Sequence, residues 1–487
     1  MPEKNRKRKS EDLLAMIRRG QPMSTGQQLR LTLMLSVPAV LAQLSSILMQ
    51  YIDAAMVGSL GAAPAASIGL VSTTTWLFSG TCTAVSTGFS VQVAHAVGAG
   101  DMARARSVLR QAFVSVGIFG LLWGGLGMAL SSPLPYWIGG EPEICRDASM
   151  YFLIYAAFLP VFQVYVLSGG MLRCSGDMRI PSLLSILMCV LDVVFNFFLI
   201  FPTRDLNILG RSVTVPGAGW GVEGAALGTG LAELVTASLM LYFLLARSES
   251  LRLTGRDRTS GEVQEESRSF IPTAPVLRMA ARISFPMAVE HIVLCGAQIM
   301  TTAIVAPLGI FAIAANSFAV TAESLCYMPG YGIADAATTL VGQSYGAGRK
   351  YLTRRFACIT VFSGMAVMGV MGLLMYVGAP LIMGSMTSDG QIMDLGVEAL
   401  RIEAFAEPMF AASIVAYSVF VGMGKTLAPC LMNLGSIWAV RLPLAALLAP
   451  SAGLRGVWTA MCIELCFRGC IFLLRLWHTF RHRKSHS

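Results

Sequence analysis

Charge is scarce in this chain: only 13% of its 487 residues are Asp, Glu, Lys or Arg, where a soluble domain averages about 25%. That deficit excludes an ordinary water-exposed globule. A Gly-x4-Gly-Lys-Ser/Thr phosphate loop is also missing, so ATP does not drive this protein directly. Neither HExxH nor a paired nucleophilic serine and histidine occurs, and the expectation is a protein that is not an enzyme. Histidine is rare, with five residues, and the eleven cysteines sit mostly inside apolar runs. Cys462, Cys466 and Cys470 share one helical face. A metal site there would need deprotonated ligands and a histidine nearby, so they read as small packing residues at a helix interface. No disulfide framework and no metal site is expected. The opening MPEKNRKRKSEDLL is basic and lacks a short apolar core ending in a small-residue cleavage site. The reading is that no signal peptide is removed and that the first helix is its own insertion signal.

What the chain has instead is apolar length. Hydrophobic residues make up 55% of it, in runs long enough to cross ~30 Å of hydrocarbon. Twelve spans are predicted, near 31–57, 65–97, 107–131, 148–169, 179–201, 218–246, 279–306, 311–345, 355–380, 397–421, 427–449 and 454–477. The fold class is an all-α integral membrane protein. The net charge of +9 could suggest nucleic acid, but its placement argues otherwise. With the N-terminus in the cytoplasm, 29 of the 36 Lys and Arg fall in tails, loops and span ends on that side. Arg146, Arg204, Arg211 and Arg455 fall opposite, and Arg401, Arg441 and Arg468 lie within spans. That asymmetry is the positive-inside rule, with both termini cytoplasmic.

The chain also repeats itself. SVPAVLAQLSSILMQYIDAAMVGSLG (36–61) aligns with SFPMAVEHIVLCGAQIMTTAIVAPLG (284–309) at an offset of 248. Without a gap, VGAG (97–100) then meets YGAG (345–348), Pro160 meets Pro408, Gly176 meets Gly424 and Pro181 meets Pro429. The longer loop at 202–217 breaks the register, which resumes as GVEGAA (221–226) over GLRGVW (453–458). Six helices is an even number, so both lobes enter the membrane in the same orientation, as parallel repeats about an axis along the membrane normal. The expected organisation is a basic tail (1–30), an N-terminal six-helix lobe (31–246), a cytoplasmic linker (247–275), a C-terminal six-helix lobe (276–477) and a basic tail (478–487). Two such lobes fit an alternating-access transporter, with a substrate cavity between them.

Several of these motifs resemble those of the multidrug and toxic compound extrusion (MATE) transporters. The first-span pattern Pro38…Asp53-xxx-Val57-Gly58-x-Leu60-Gly61 resembles that family's opening helix. CSGDMRIP (174–181) and GMGKTLAP (422–429) resemble its turns after the fourth and tenth helices, and GVEGAALGT (221–229) its sixth-helix start. The resemblance spans about 31–477 and implies a twelve-helix, two-lobe, V-shaped fold. It also implies export of small lipophilic organic cations in exchange for protons or sodium ions, with no other cofactor. The other reading is a lipid-linked sugar or peptidoglycan-precursor flippase of the same superfold. A flippase favours a strongly cationic cavity, whereas the charges at mid-membrane depth here are mainly acidic. The expected setting is the plasma (inner) membrane, as a monomer whose partners are the transported cations and membrane lipids.

The acids are the informative residues. CVLDVVFNFFLIF (189–201) carries Asp192 and Asn196 on one face, and a carboxylate there costs roughly 2.5–3.5 kcal/mol on insertion scales. Asp53 and Thr229 fall at similar depth, so the four converge on one polar pocket in the N-terminal lobe. A carboxyl withdrawn from water, with a second beside it, resists full ionisation and suits exchange of a cation. The resemblance matches Asp53 and Thr229 to the cation site of proton-coupled members, with the Asn/Asp order of the fifth helix swapped here. In the C-terminal lobe, Glu290, Glu323 and Glu407 lie near mid-depth. Sodium-coupled members carry acids in helices 7 and 10. A buried Arg441 needs a carboxylate, supplied in this reading by one of those three. Asp335, after Pro329, Gly330 and Gly332, either lines the inner cavity or satisfies backbone groups at a helix break. His95 and Gln343 read as solvated or capping residues at helix ends, and His291 as a weak proton-relay candidate. Glu233 and Glu464 read as structural partners of Arg468. Tyr51, Trp76, Tyr327 and Tyr331 offer flat surfaces to a lipophilic cation, although most such residues merely pack. GAALG (224–228) reads as a close helix contact.

Overall fold

The computed structural model describes residues 2–208, 211–248, 251–252 and 270–481. Most of the expected linker and the end of the C-terminal tail lie outside the described residues.

The helices in order are α1 (Pro2–Arg18), α2 (Thr25–Gly58), α3 (Ala62–Gly98), α4 (Met102–Leu130), α5 (Leu134–Trp137), α6 (Pro142–Ser175) and α7 (Arg179–Ile200). After a hairpin come α8 (Gly221–Tyr242), α9 (Ala274–Val305), α10 (Ile310–Gly346) and α11 (Lys350–Met386). The chain ends with α12 (Gly390–Ala404), α13 (Glu407–Gly422), α14 (Leu427–Ser436) and α15 (Leu442–Arg481). Among the described residues nine helical stretches are long and apolar enough to cross a membrane, or ten when α12 and α13, bent by 58°, count as one broken span. Two more complete the twelve. The stretch Leu427–Arg481 is interrupted at Gly453 (φ 60°, ψ −143°), which makes it two spans rather than one. The other is α3, 37 residues long and diluted by serine and threonine. α1 is an added short helix that buries Leu13, Leu14 and Ile17.

The repeat is legible in the backbone. Gly176 and Gly424, 248 residues apart, both follow a helix C-terminus at positive φ (105° and 71°), a conformation open to glycine at little cost.

The all-α expectation fails at one place. Where a loop was expected at 202–217, β1 (Pro202–Ile208) and β2 (Arg211–Ala218) pair antiparallel, with Asp205 opposite Thr214. Thr203, Val213, Thr214 and Val215 favour the extended chain, and the Thr214 hydroxyl donates to Asp205 Oδ1.

Contacts divide the chain into two compact units. One holds Ser45–Val93 and Met102–Ser284, and is called the N-terminal unit; the C-terminal unit holds Met1–Leu44, Ala94–Asp101 and Phe285–Ser487. The divisions thus pass through α2, α3 and α9. The N-terminal unit is cored by Val71, Phe78, Cys82, Phe152 and Leu159, with Phe78 against Trp123 at 4.6 Å between centroids. Gln163 ties α6 to α3 through Cys82 O (3.1 Å) and Ser86 Oγ (2.7 Å). The C-terminal unit is cored by α10, α11, α12 and α15, with the buried Trp458 indole donating to Asn316 Oδ1 at 3.0 Å.

Candidate functional site

In the N-terminal unit, α7 brings Asp192 and Asn196 to one face and buries both completely. The Asn196 amide nitrogen donates to Asp192 Oδ2 (3.1 Å) and to Asp53 Oδ1 of α2 (3.0 Å). One neutral amide therefore uses both its protons to bridge two carboxyl groups. The half-buried Thr229 of α8 stands beside Asp192, and its hydroxyl donates to Ala225 O at 3.2 Å. Asp192 Oδ1 and Asn196 Oδ1 are buried acceptors with no hydrogen-bond partner among the described residues. All four expected residues meet here.

The helix contact expected at GAALG (224–228) holds this pocket closed on one side. A Cβ on Gly228 would lie 2.0 Å from Asn196 Oδ1, and one on Gly224 would lie 2.5 Å from the Leu199 carbonyl. Glycine at both positions lets α8 approach α7 backbone to backbone. Two further groups lie near this pocket, of which only Tyr151 went unnoticed in the sequence. Tyr151 of α6 lies within electrostatic reach of Asp53 and Asp192. Glu233, read as a partner of Arg468, is instead buried near Asp192 in this unit, with no ion pair among the described residues.

The C-terminal unit distributes its acids over two places. Glu290 of α9 accepts from the Tyr417 hydroxyl of α13 at 2.5 Å and from the Asn433 amide of α14 at 2.6 Å. Neither partner was singled out in the sequence. Glu323 of α10, Glu403 of α12 and Glu407 of α13 are buried within electrostatic reach of one another. Glu403 was missed altogether, although it stands four residues before Glu407, across the bend. Both oxygens of Glu403 and of Glu407 are buried without a hydrogen-bond partner among the described residues.

Arg441 corrects the pairing inferred from sequence. Its partner is none of Glu290, Glu323 and Glu407 but Glu464 of α15, which accepts at Oε2 from Nη2 (2.7 Å) and Nε (2.9 Å). Glu464 also faces Arg468 at 3.1 Å and accepts from Ser436 Oγ at 2.6 Å. One carboxylate thus serves two arginines, and Arg468 in addition lies 5.4 Å from the Phe410 ring centroid.

The remaining candidates scatter. Asp335 is half-buried on α10, which runs through Pro329 without a break, so the helix-break alternative is not met. Tyr327 packs edge-on to Tyr331 and to Phe410 (5.9 and 5.6 Å), while Trp76 is exposed and Tyr51 half-buried. His291 is half-buried. Of the solvated and capping readings, Gln343 is fully buried rather than solvated, and His95 Nε2 lies 2.7 Å from the carbonyl of Gly422, the last residue of α13, where it caps that helix end.

Known proteins share this architecture. The chain is similar to the probable multidrug resistance protein NorM of Thermotoga maritima, 26% identical over 451 residues and 90% of each chain. It is 25% identical over 443 residues to the multidrug resistance protein NorM of Burkholderia vietnamiensis, covering 89% of this chain and 90% of that one. Among solved structures it superposes on a MATE protein in the straight conformation with a TM-score of 0.85 (18% identity, 97% and 99% of the two chains). A multidrug resistance MATE family transporter of the MOP superfamily in an outward-facing conformation gives 0.84 (19% identity, 97% and 98%). The MatE family model matches twice, at 38–198 and 286–447, two stretches that begin at the repeat offset of 248. Both halves match, and the chain belongs to the MatE family.

Proposed function

We propose that this protein is a secondary antiporter. In this reading it exports small lipophilic organic cations across the plasma membrane in exchange for protons or sodium ions. It works as a monomer with both termini in the cytoplasm. Two six-helix halves alternate access, and the coupling ion is the one inorganic partner required. The observation that carries the reading is the Asp53–Asn196–Asp192 bridge with its two unpartnered, buried acceptor oxygens. Two carboxyl groups joined through one amide repel each other when both are ionised, and a proton or a small cation relieves that repulsion. Such a group has two states whose packing differs, which is what coupling to transport requires. The relatives' description as multidrug resistance proteins supports the substrate class, and the excess of buried acids over arginines fits cationic cargo. Driving a two-state equilibrium from 1:99 to 99:1 takes about 5.5 kcal/mol of differential binding, and neutralising the carboxyl pair supplies part of it. The glutamates of the C-terminal unit, Glu403 among them, form the second candidate place for the coupling ion.

The test is ethidium efflux from proteoliposomes under an imposed proton gradient and, separately, a sodium gradient. Wild type is compared with Asp53→Asn and Glu290→Gln. Efflux driven by protons and lost in Asp53→Asn alone assigns coupling to the N-terminal unit; loss in Glu290→Gln under sodium assigns it to the C-terminal unit. If neither gradient drives efflux of any organic cation, the proposal is wrong and the flippase reading replaces it.

A further inference from the structure

VGAG (97–100) and YGAG (345–348), equivalent in the repeat, meet at the ends of α3 and α10. A Cβ on Gly98 would lie 2.0 Å from the Gln343 carbonyl oxygen, and a Cβ on Gly346 would lie 2.1 Å from the His95 carbonyl oxygen. Gly346 is the repeat equivalent of Gly98, and Gln343 that of His95, each at the offset of 248. The two contacts are therefore one contact made twice. Between them a Cβ on Gly342 would lie 3.0 Å from the Cβ of Ala94, and those two positions are also equivalent. A local two-fold axis passes between Ala94 and Gly342. The His95 imidazole reaches onward to the Gly422 carbonyl at 2.7 Å and packs on Tyr345, 5.3 Å between centroids.

Only glycine permits this crossing. Each added methyl would strike a backbone oxygen about 2 Å away, and a main-chain atom cannot rotate aside as a flexible side chain can. The contact pairs repeat-equivalent residues at the end where α3 and α10 finish, the cytoplasmic end in the positive-inside topology. In a protein whose halves are related by an axis along the membrane normal, helix ends on that axis must separate if that end is to open. We propose that the Gly98/Gly346 crossing is the gate of that end, closed in the conformation described here. The proposal rests on the alternating-access reading above.

The test is a disulfide between Ala94→Cys and Gly342→Cys, whose Cβ atoms need relax by less than 1 Å to reach the usual 3.5–4.5 Å. A protease site placed within 253–269 reports the link, because cleaved fragments stay joined only when it has formed. Single-cysteine variants control for the native thiols. The expected results are spontaneous cross-linking in most molecules, at least tenfold slower ethidium efflux when oxidised, and recovery on reduction. The yield should also change at least twofold between ethidium alone and the imposed cation gradient. Gly98→Ala and Gly346→Ala should each lower both cross-linking and efflux at least tenfold. Gly117→Ala on α4, where an added Cβ meets nothing within 4 Å, should leave both unchanged. Cross-linked protein that transports at the wild-type rate overturns the gate, as does a pair that never cross-links. If wild type transports no organic cation, the efflux reading fails by itself. The gate is then judged on yield alone: a twofold response to pH, sodium or ethidium sustains it, and a constant yield overturns it.

Discussion

The N-terminal and C-terminal units share a repeat but not their buried chemistry. In the first, two carboxyl groups are joined by a neutral amide, and the residues recorded around them add a tyrosine and a third carboxyl rather than a cation. In the second, Glu464 is matched by Arg441 and Arg468, while Glu290 is held by neutral donors and Glu403 and Glu407 have no hydrogen-bond partner among the described residues. A paired carboxylate has its counter-charge built in; one without such a pair is, in the antiport proposed above, the group that takes up and releases a proton or cation. In that proposal the buried acids divide into structural and exchangeable groups according to whether an arginine pairs with them directly, as Arg441 and Arg468 pair with Glu464. Four substitutions separate these roles.

Glu464→Gln has the largest expected effect. It strands two guanidinium groups, Arg468 buried and Arg441 half-buried, and losing one partner of a buried ion pair costs about 3–5 kcal/mol. Denaturant titration in mixed micelles measures it. A loss below about 1 kcal/mol would mean that other carboxylates take over, and the division between the units would blur.

Gly228→Ala probes the other pocket without touching a charge. Its methyl would lie 2.0 Å from Asn196 Oδ1, so α8 must retreat or Asn196 must release the carboxyl groups. Overpacking of this kind costs about 1–3 kcal/mol. Efflux should fall with it, because the amide bridge is displaced. Unchanged efflux in a stably folded variant would show that the bridge is not used.

How far this contrast could be read from sequence depends on geometry. Asp192 and Asn196 announced themselves, being four apart in an apolar run, and depth alone brought Asp53 and Thr229 to them. Arg441 was misassigned because depth left several glutamates eligible. The turn supplied the missing constraint: Arg441 lies 12 residues before Gly453 and Glu464 lies 11 after it, so two antiparallel helices joined there must set them side by side. Glu403 was overlooked because it fell near the start of its predicted span, whereas the bend at 404–407 draws it inward. Tyr417 and Asn433 gave no signal, since neutral polar residues are common in membrane helices and only the azimuth of α13 and α14 turns them onto Glu290. The hairpin at 202–218 was hidden by its position in a break of the repeat, although its threonines and valines favoured strands.

Tyr417→Phe should be milder. It removes one hydrogen bond from Glu290 while Asn433 remains, and such bonds inside membrane proteins are worth about 0.6 kcal/mol on average, about 1.7 at most. If Glu290 handles the coupling ion, the variant should shift the cation concentration at half-maximal efflux several-fold with little change in stability. A purely structural Glu290 would give the stability change alone.

Glu403→Gln should have the smallest effect, and its sign is the point. A buried carboxyl whose two oxygens lack hydrogen-bond partners among the described residues contributes desolvation cost with little return. Replacing it by an amide of the same shape removes the charge and adds a hydrogen-bond donor within electrostatic reach of Glu407 and Glu323. Stability should therefore stay level or rise by up to about 1 kcal/mol, the opposite of Glu464→Gln in the same unit. Efflux should become less sensitive to the coupling cation, because one of three mutually repelling carboxylates is gone and the others hold a cation less strongly. A clear loss of stability would mean that Glu403 is paired after all, and the three glutamates would then belong with Glu464 as structural groups. That would leave the N-terminal pocket and Glu290 as the remaining candidates for cation exchange.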